Sequence, residues 1–565
     1  MREATNQVCG RWPAAAMFLA GLLLVLAGCA GTMREPPPSV NYVPDASYHL
    51  LMAEIALQRG VYRTAAQEYL TAAEQSQDVA VARRATEFTF DYGLDQFALL
   101  AARRWESLEP DSTLAHEYLG RLYLRRYDQE QAYRYFADII GPASVRSGDE
   151  YLALAADLED EPNANGVLKL LLRFGAEGPD SPGYQLAIAR AALRAGATEL
   201  AVHAARRAAQ GGRGRDADVL LGRALFLDGQ VDASLTHLAR LVHAEPGLSL
   251  ELEFLRVLAS SGELALAERG LDRLLESRGR RPEILLLRGL LNLESDDLDA
   301  AAGDFNEVLS SGYDVYEALY YLGEIAAAQG RRERALRYFR RIGAGAYLLP
   351  AQFSIAALYA ATGDEASALA QLDGFAGAYP RYAFDMLDGR ARLLQRLGRD
   401  EEALQTYGEA LSFKPDSLRL LIARGTLLDR LGRLEPALAD LQRAVELAPD
   451  DADALNTLGY TLANRTRRHA EAEAYIRLAM QLQPDSPAIM DSLGWVLFRR
   501  GREDEALSCL QLAYDWLPDA EVAAHLGEVL WAMGDREAAR SVWAEAAEAE
   551  PDNKPLLETI ERLQR

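Results

Sequence analysis

Cysteine is almost missing from this chain of 565 residues, occurring only as Cys9, Cys29 and Cys509. Three cysteines build no disulfide framework, and no C-x-x-C pair exists for zinc or redox chemistry. Lysine is as scarce, at Lys169, Lys414 and Lys554 alone. Positive charge is outweighed altogether, leaving a net charge of −24. An acidic surface repels phosphate backbones and anionic lipid, so nucleic acid is not an expected partner. The 43 glycines and 22 prolines are ordinary shares, which excludes collagen-like and linker-dominated chains. Apolar residues at 49% and charged residues at 25% exclude wholesale disorder. Catalytic signatures are missing too: there is no G-x-x-x-x-G-K-[ST], no H-E-x-x-H and no G-x-S-x-G. The seven histidines are scattered. The nearest pair, His237 and His243, is too widely spaced to share a helix face as metal ligands. No catalytic residue, metal or cofactor is expected, and the protein is read as a non-enzyme.

What is present begins at the amino end. Arg2 and Arg11 precede an apolar run from Ala14 to Ala27, too short to span a bilayer comfortably and typical of a signal-peptide core. The run ends in Leu26-Ala27-Gly28-Cys29, which resembles a bacterial lipobox. The resemblance implies cleavage after residue 28 and acylation of Cys29, with palmitate among the acyl chains. Two or more chains give stable anchoring where one gives marginal binding. Ala30 rather than Asp follows the cysteine, which by resemblance to proteobacterial lipoproteins favours the outer membrane. Residues 29–45 then carry Pro36-Pro37-Pro38 and Pro44, which favour an extended tether. Membrane contact is expected through the lipid alone.

The rest of the chain is periodic. Pro415, Pro449, Pro484, Pro518 and Pro551 are each followed by Asp, at intervals of 33 to 35 residues. Gly425, Gly459, Gly494 and Gly527 recur nine or ten residues after a proline, and Gly432, Gly501 and Gly534 mark a turn. Ala437, Ala506 and Ala539 follow in phase. Small residues at fixed places let two helices approach closely while larger ones fill the gaps. The pattern resembles the tetratricopeptide repeat, or TPR, and weaker copies run upstream to Gly60/Ala65/Tyr69/Ala72. The resemblance implies an all-α TPR superhelical solenoid of about fifteen helix-turn-helix hairpins. The expected divisions are N-terminal repeats over 46–148, degenerate repeats over 149–214, a regular array over 215–553 and a capping helix over 554–565.

With no catalytic motif, function is expected on the surface. In TPR arrays the first helix of each hairpin lines the concave face. Counting from the small residue of each repeat places Asn456, Tyr460, Asp491, Trp495, Phe498 and Trp531 there, as a candidate protein-binding face. Aromatic side chains beside amides and carboxylates anchor extended peptides or helices. The opening YHLLMAEIALQRG and the closing MDSLGWVLFRRGREDEALSCLQLAYDWLPD are similar to outer-membrane TPR lipoproteins that bind a periplasmic carboxyl-terminal processing protease. That similarity implies an adaptor facing the periplasm. Its expected partners are the serine protease and the peptidoglycan hydrolases of the cell wall on which it acts. An alternative reading is an assembly scaffold for an envelope machine, such as a pilus secretin or a polysaccharide exporter.

Overall fold

The computed structural model describes residues 44–141, 148–177, 181–212 and 214–564. The signal segment, Cys29 and most of the tether lie outside them. Among the described residues there are 31 α-helices, one 3-10 turn at Pro380–Tyr382 and no strand. Thirty helices form fifteen successive pairs, from Ala46–Gln58 with Tyr62–Gln75 to Ala520–Met533 with Arg536–Ala549. Helix Lys554–Gln564 follows, laying the buried Leu556 against Ala520–Met533. The expected all-α TPR solenoid is therefore what the chain forms. None of the described helices is long and apolar enough to cross a membrane.

Local chemistry sets the hairpin. Within a pair, Gly432, Gly501 and Gly534 adopt φ near +73°, +75° and +95°, a region where a Cβ is costly. Between pairs, the residue before each marker proline cannot stay helical, because the proline ring crowds its backbone. Lys414, Ala448, Gln483, Leu517 and Glu550 accordingly all leave the helix, with φ between −127° and −139°. Asp451 caps its helix by accepting from the Ala454 N–H at 2.8 Å, and Asp535 accepts from Ala538 at 3.1 Å. Each such cap contributes about 1 kcal/mol.

Packing inside a pair follows one rule. The small residue of the first helix faces a large residue sixteen positions later: Gly120 with Phe136, Gly289 with Phe305, Gly494 with Leu510, Gly527 with Trp543. A Cβ on Gly120 would stand 2.6 Å from the Phe136 ring, closer than packed atoms allow. Gly459 meets Ile476 instead, seventeen positions on. Its turn runs through Thr466 with one residue more, which is why that repeat is 35 residues long.

The stretch expected to be degenerate departs from this rule. Helices Asp149–Asp157 and Ala164–Glu177 hardly touch one another, and both pack on Pro182–Arg194. Polar contacts fix the loop between them. Glu161, buried, accepts from Arg121 at 3.2 Å and from Arg125 at 3.0 Å, and Asn163 donates to the Leu124 carbonyl at 2.8 Å. Gly196, at φ +73°, then restores a regular turn.

Candidate functional site

The six residues expected on the inner face sit on α25 (Ala452–Arg465), α27 (Pro487–Arg499) and α29 (Ala520–Met533). These are three successive first helices, packed side by side. Four of the six sequence-selected residues converge there, around a residue the sequence count missed. His525 is 8% exposed, and its Nδ1 lies 2.9 and 3.0 Å from the two carboxylate oxygens of Asp491. Its ring stacks on Trp495 with centroids 4.3 Å apart and planes inclined by 22°. Tyr460 approaches the same imidazole at 6.0 Å and donates its hydroxyl to Glu521 at 2.9 Å, reaching past a whole repeat. Phe498 lies 5.7 Å from Trp495.

The other two residues stand apart from that cluster. Trp531, half-buried, packs on Trp543 at 5.7 Å under the guanidiniums of Arg536 and Arg540. Asn456 is half-buried, with its Oδ1 shielded and unpartnered. Trp495, only 7% exposed, also keeps its Nε1–H without an acceptor. One open acceptor and one open donor therefore lie on neighbouring first helices. Leaving such groups unpaired in a buried place is costly, so a partner gains from them only where docking shifts the side chains enough to reach them.

Electrostatics bind the cluster together. Burial would lower the His525 pKa, but Asp491, with Glu521 and Glu528 beyond it, outweighs that effect and raises it above the usual histidine range. Burial, then Glu521 and Asp491, hold the Tyr460 phenol well above its ordinary range. Burial likewise raises the Cys509 thiol, which keeps it protonated and unreactive. The His–Asp pair invites comparison with a catalytic dyad, but no hydroxyl or thiol is hydrogen-bonded to His525 among the described residues. The nearby Ser492 donates to the Ala488 carbonyl at 3.0 Å. Among the described residues no three His, Cys, Asp or Glu side chains converge as metal ligands. What the arrangement can do is tie adjacent repeats together and offer hydrogen bonds and aromatic surface.

His525 escaped the count from glycine because Gly527 follows Pro518 by nine residues, where Gly459 and Gly494 follow their prolines by ten. Counting from proline finds it: Asn456, Asp491 and His525 each lie seven residues after Pro449, Pro484 and Pro518.

Comparison with known proteins identifies the repeat. A family model described as tetratricopeptide repeat matches residues 178–249, 252–312, 293–347 and 422–487. A TPR repeat-containing protein of Pseudomonas aeruginosa is 30% identical over 585 aligned positions, covering 94% of this chain and 93% of that one. Among solved structures, yeast Tom70 aligns at 15% identity over 74% of this chain and 96% of its own, with a TM-score of 0.39. A tetratricopeptide repeat protein from Parabacteroides merdae aligns at 18% identity over 44% of this chain and 99% of its own, with a TM-score of 0.36. Neither structure bears on function at that level of likeness. The relative that spans nearly the whole chain is decisive, and the protein belongs to the tetratricopeptide repeat-containing family.

Proposed function

We propose that the protein is a lipid-anchored adaptor, held at the outer membrane and facing the periplasm, with no bond-breaking chemistry of its own. It brings a carboxyl-terminal processing serine protease together with the peptidoglycan hydrolases that the protease cuts. An array of tetratricopeptide repeats is a scaffold for binding other proteins, and that coarser role holds whatever the partners are. The observation that carries the adaptor reading is the inner row of the last three hairpins. There Asn456 and Trp495 keep unpaired polar groups beside aromatic surface, and among the described residues no hydroxyl or thiol is hydrogen-bonded to His525. The lipobox-like Leu26-Ala27-Gly28-Cys29 supports the anchor, and the likeness of both chain ends to protease-binding lipoproteins supports the partner. A rigid scaffold that holds two proteins raises their mutual effective concentration without any new chemistry.

The test is affinity capture of the full chain from detergent-solubilised envelope, quantified by mass spectrometry against a Cys29→Ser control. The adaptor reading expects a serine protease and a wall hydrolase to be enriched together, and the Cys29→Ser chain to leave the membrane fraction. Enrichment of an outer-membrane pore without the protease would overturn it in favour of a machine-assembly scaffold.

A further inference from the structure

Distant parts of the solenoid touch. Phe413 packs against the hydrophobic cluster of the first two hairpins, which includes Leu94 and Phe88. Lys414 lies so close to Gly93 that a Cβ there would stand 3.1 Å from the lysine Cε. Arg63 donates to the Ser412 hydroxyl at 3.4 Å, joining residues 349 apart in the chain. Arg126 lies 3.6 Å from Asp416, and Lys169 pairs with Asp450. Between the two walls lies a cavity of about 1000 Å³, lined from one side by Asp95, Arg126 and Lys169 and from the other by Lys414, Asp416 and Asp450. Tyr127 lines it as well, in the left-handed region at φ +59°, where a bulky residue persists only if its surroundings hold it.

The two ion pairs across this seam run the same way, although Asp95 on the early wall and Lys414 on the late wall carry the opposite signs. The early repeats bring the cations Arg126 and Lys169, and the late repeats bring the carboxylates Asp416 and Asp450. Two of the three lysines in the chain, Lys169 and Lys414, are spent here. The charged side chains keep substantial contact with solvent: Lys169 is 46% exposed and Asp450 40%. Pairs of that exposure are individually weak and screened by salt. Among the described residues the other contacts run mostly between adjacent hairpins, Tyr460 with Glu521 being a longer one, so the array behaves as a spring whose curvature small forces can alter. A seam made of one packed aromatic ring and two partly exposed ion pairs is strong enough to bias such a spring and weak enough to release it.

We propose that this seam is an ionic latch, which closes the solenoid on itself and sets the curvature of the inner wall that partners meet. Opening it separates the early from the late repeats without unfolding either. The latch is independent of which partner binds, so it stands or falls apart from the adaptor reading.

The chain's shortage of lysine makes the test simple. A water-soluble carbodiimide activates the Asp450 carboxyl. The Lys169 amine then displaces the activating group as a urea, and an amide bond forms between the two side chains. The full chain in detergent is treated at low protein concentration, and the monomer band is mapped by mass spectrometry. A Lys169–Asp450 product is expected, with its yield falling severalfold between about 0.01 M and about 1 M salt, as the Debye length shrinks from about 30 Å to about 3 Å. Arg126→Glu, which leaves both coupled residues intact, should lower that same yield severalfold while helicity by circular dichroism stays unchanged. Arg126→Lys should keep the yield and add a second product to Asp416. Absence of the Lys169–Asp450 product from the monomer, or a yield indifferent to salt and to Arg126→Glu, would overturn the latch.

Discussion

Replacing Asp491 with alanine removes the only anion, among the described residues, that is hydrogen-bonded to the buried His525. Asp491 and His525 are 6% and 8% exposed and sit on consecutive first helices, so their pairing is a tie between repeats. Taking one partner from a buried ion pair leaves the other charge uncompensated, which costs about 3–5 kcal/mol. The pair joins the hairpins over 487–549, and Tyr460 reaches the same cluster from the hairpin before, so the loss falls chiefly on the hairpins over 452–549. The pH dependence has a definite sign. The folded pKa of His525 is raised above its ordinary 6.5, because Asp491 outweighs the opposing effect of burial. The pair's contribution is therefore complete below about pH 6.5 and is lost as pH rises through the folded value. Urea unfolding followed by tryptophan fluorescence suits the measurement, since Trp495, Trp516, Trp531 and Trp543 all report from this end. Asp491→Ala should be destabilised most at about pH 6 and converge toward the parent at alkaline pH. A loss below about 1 kcal/mol, or one of equal size at every pH, would refute the reasoning.

Other outcomes follow from the same geometry. Gly120→Ala forces a methyl into the Phe136 ring and should cost about 1–3 kcal/mol by overpacking. Gly303→Ala, on an exposed helical face with nothing within 4 Å, should instead gain up to about 1 kcal/mol; parallel denaturation curves check the pair. Glu473 is buried. Burial opposes its ionisation, but Arg477 and Arg500 prevail and hold its pKa below 4.5. Glu473→Gln should thus lose about 1–3 kcal/mol at neutral pH, and the difference should fade as pH falls through the folded pKa, which a pH series of melting temperatures would show. Cys509, half-buried with a raised thiol pKa, should alkylate more slowly than a free cysteine at pH 8 and match it once the chain is unfolded in urea.

The hairpins were legible in the sequence because their causes are local. Proline turns the residue before it out of the helix at each marker position, and a glycine marks both the turn and the point where two helices touch. Asp491 and Trp495 were legible by the same periodic count. His525 was hidden by one missing residue between Pro518 and Gly527, although the proline register contained it. Burial was less accessible: Trp495 and Tyr460 are expected on an open face, yet adjacent first helices pack so closely that Trp495 is buried and Tyr460 half-buried. The seam between Lys169 and Asp450 left no trace in the periodicity, because repeat spacing fixes each hairpin and not the small rotation between hairpins that accumulates into pitch. The loose pair at 149–177 shows the converse. Its turn-rich sequence marks a break in the pattern, but only the structure shows Glu161 and Asn163 anchoring it to the preceding repeat.

The adaptor account is tested most directly by reconstitution. Purified protease and wall hydrolase are mixed at fixed concentrations, and the rate of hydrolase cleavage is measured while the full chain is titrated from zero to large excess. A scaffold that bridges two partners brings them together when scarce and parts them onto separate copies when abundant. The account predicts a cleavage rate that rises, passes through a maximum and falls, with no cleavage by the chain alone. A rate indifferent to the chain, a rise to a plateau with no decline, or cleavage in the absence of protease would contradict it.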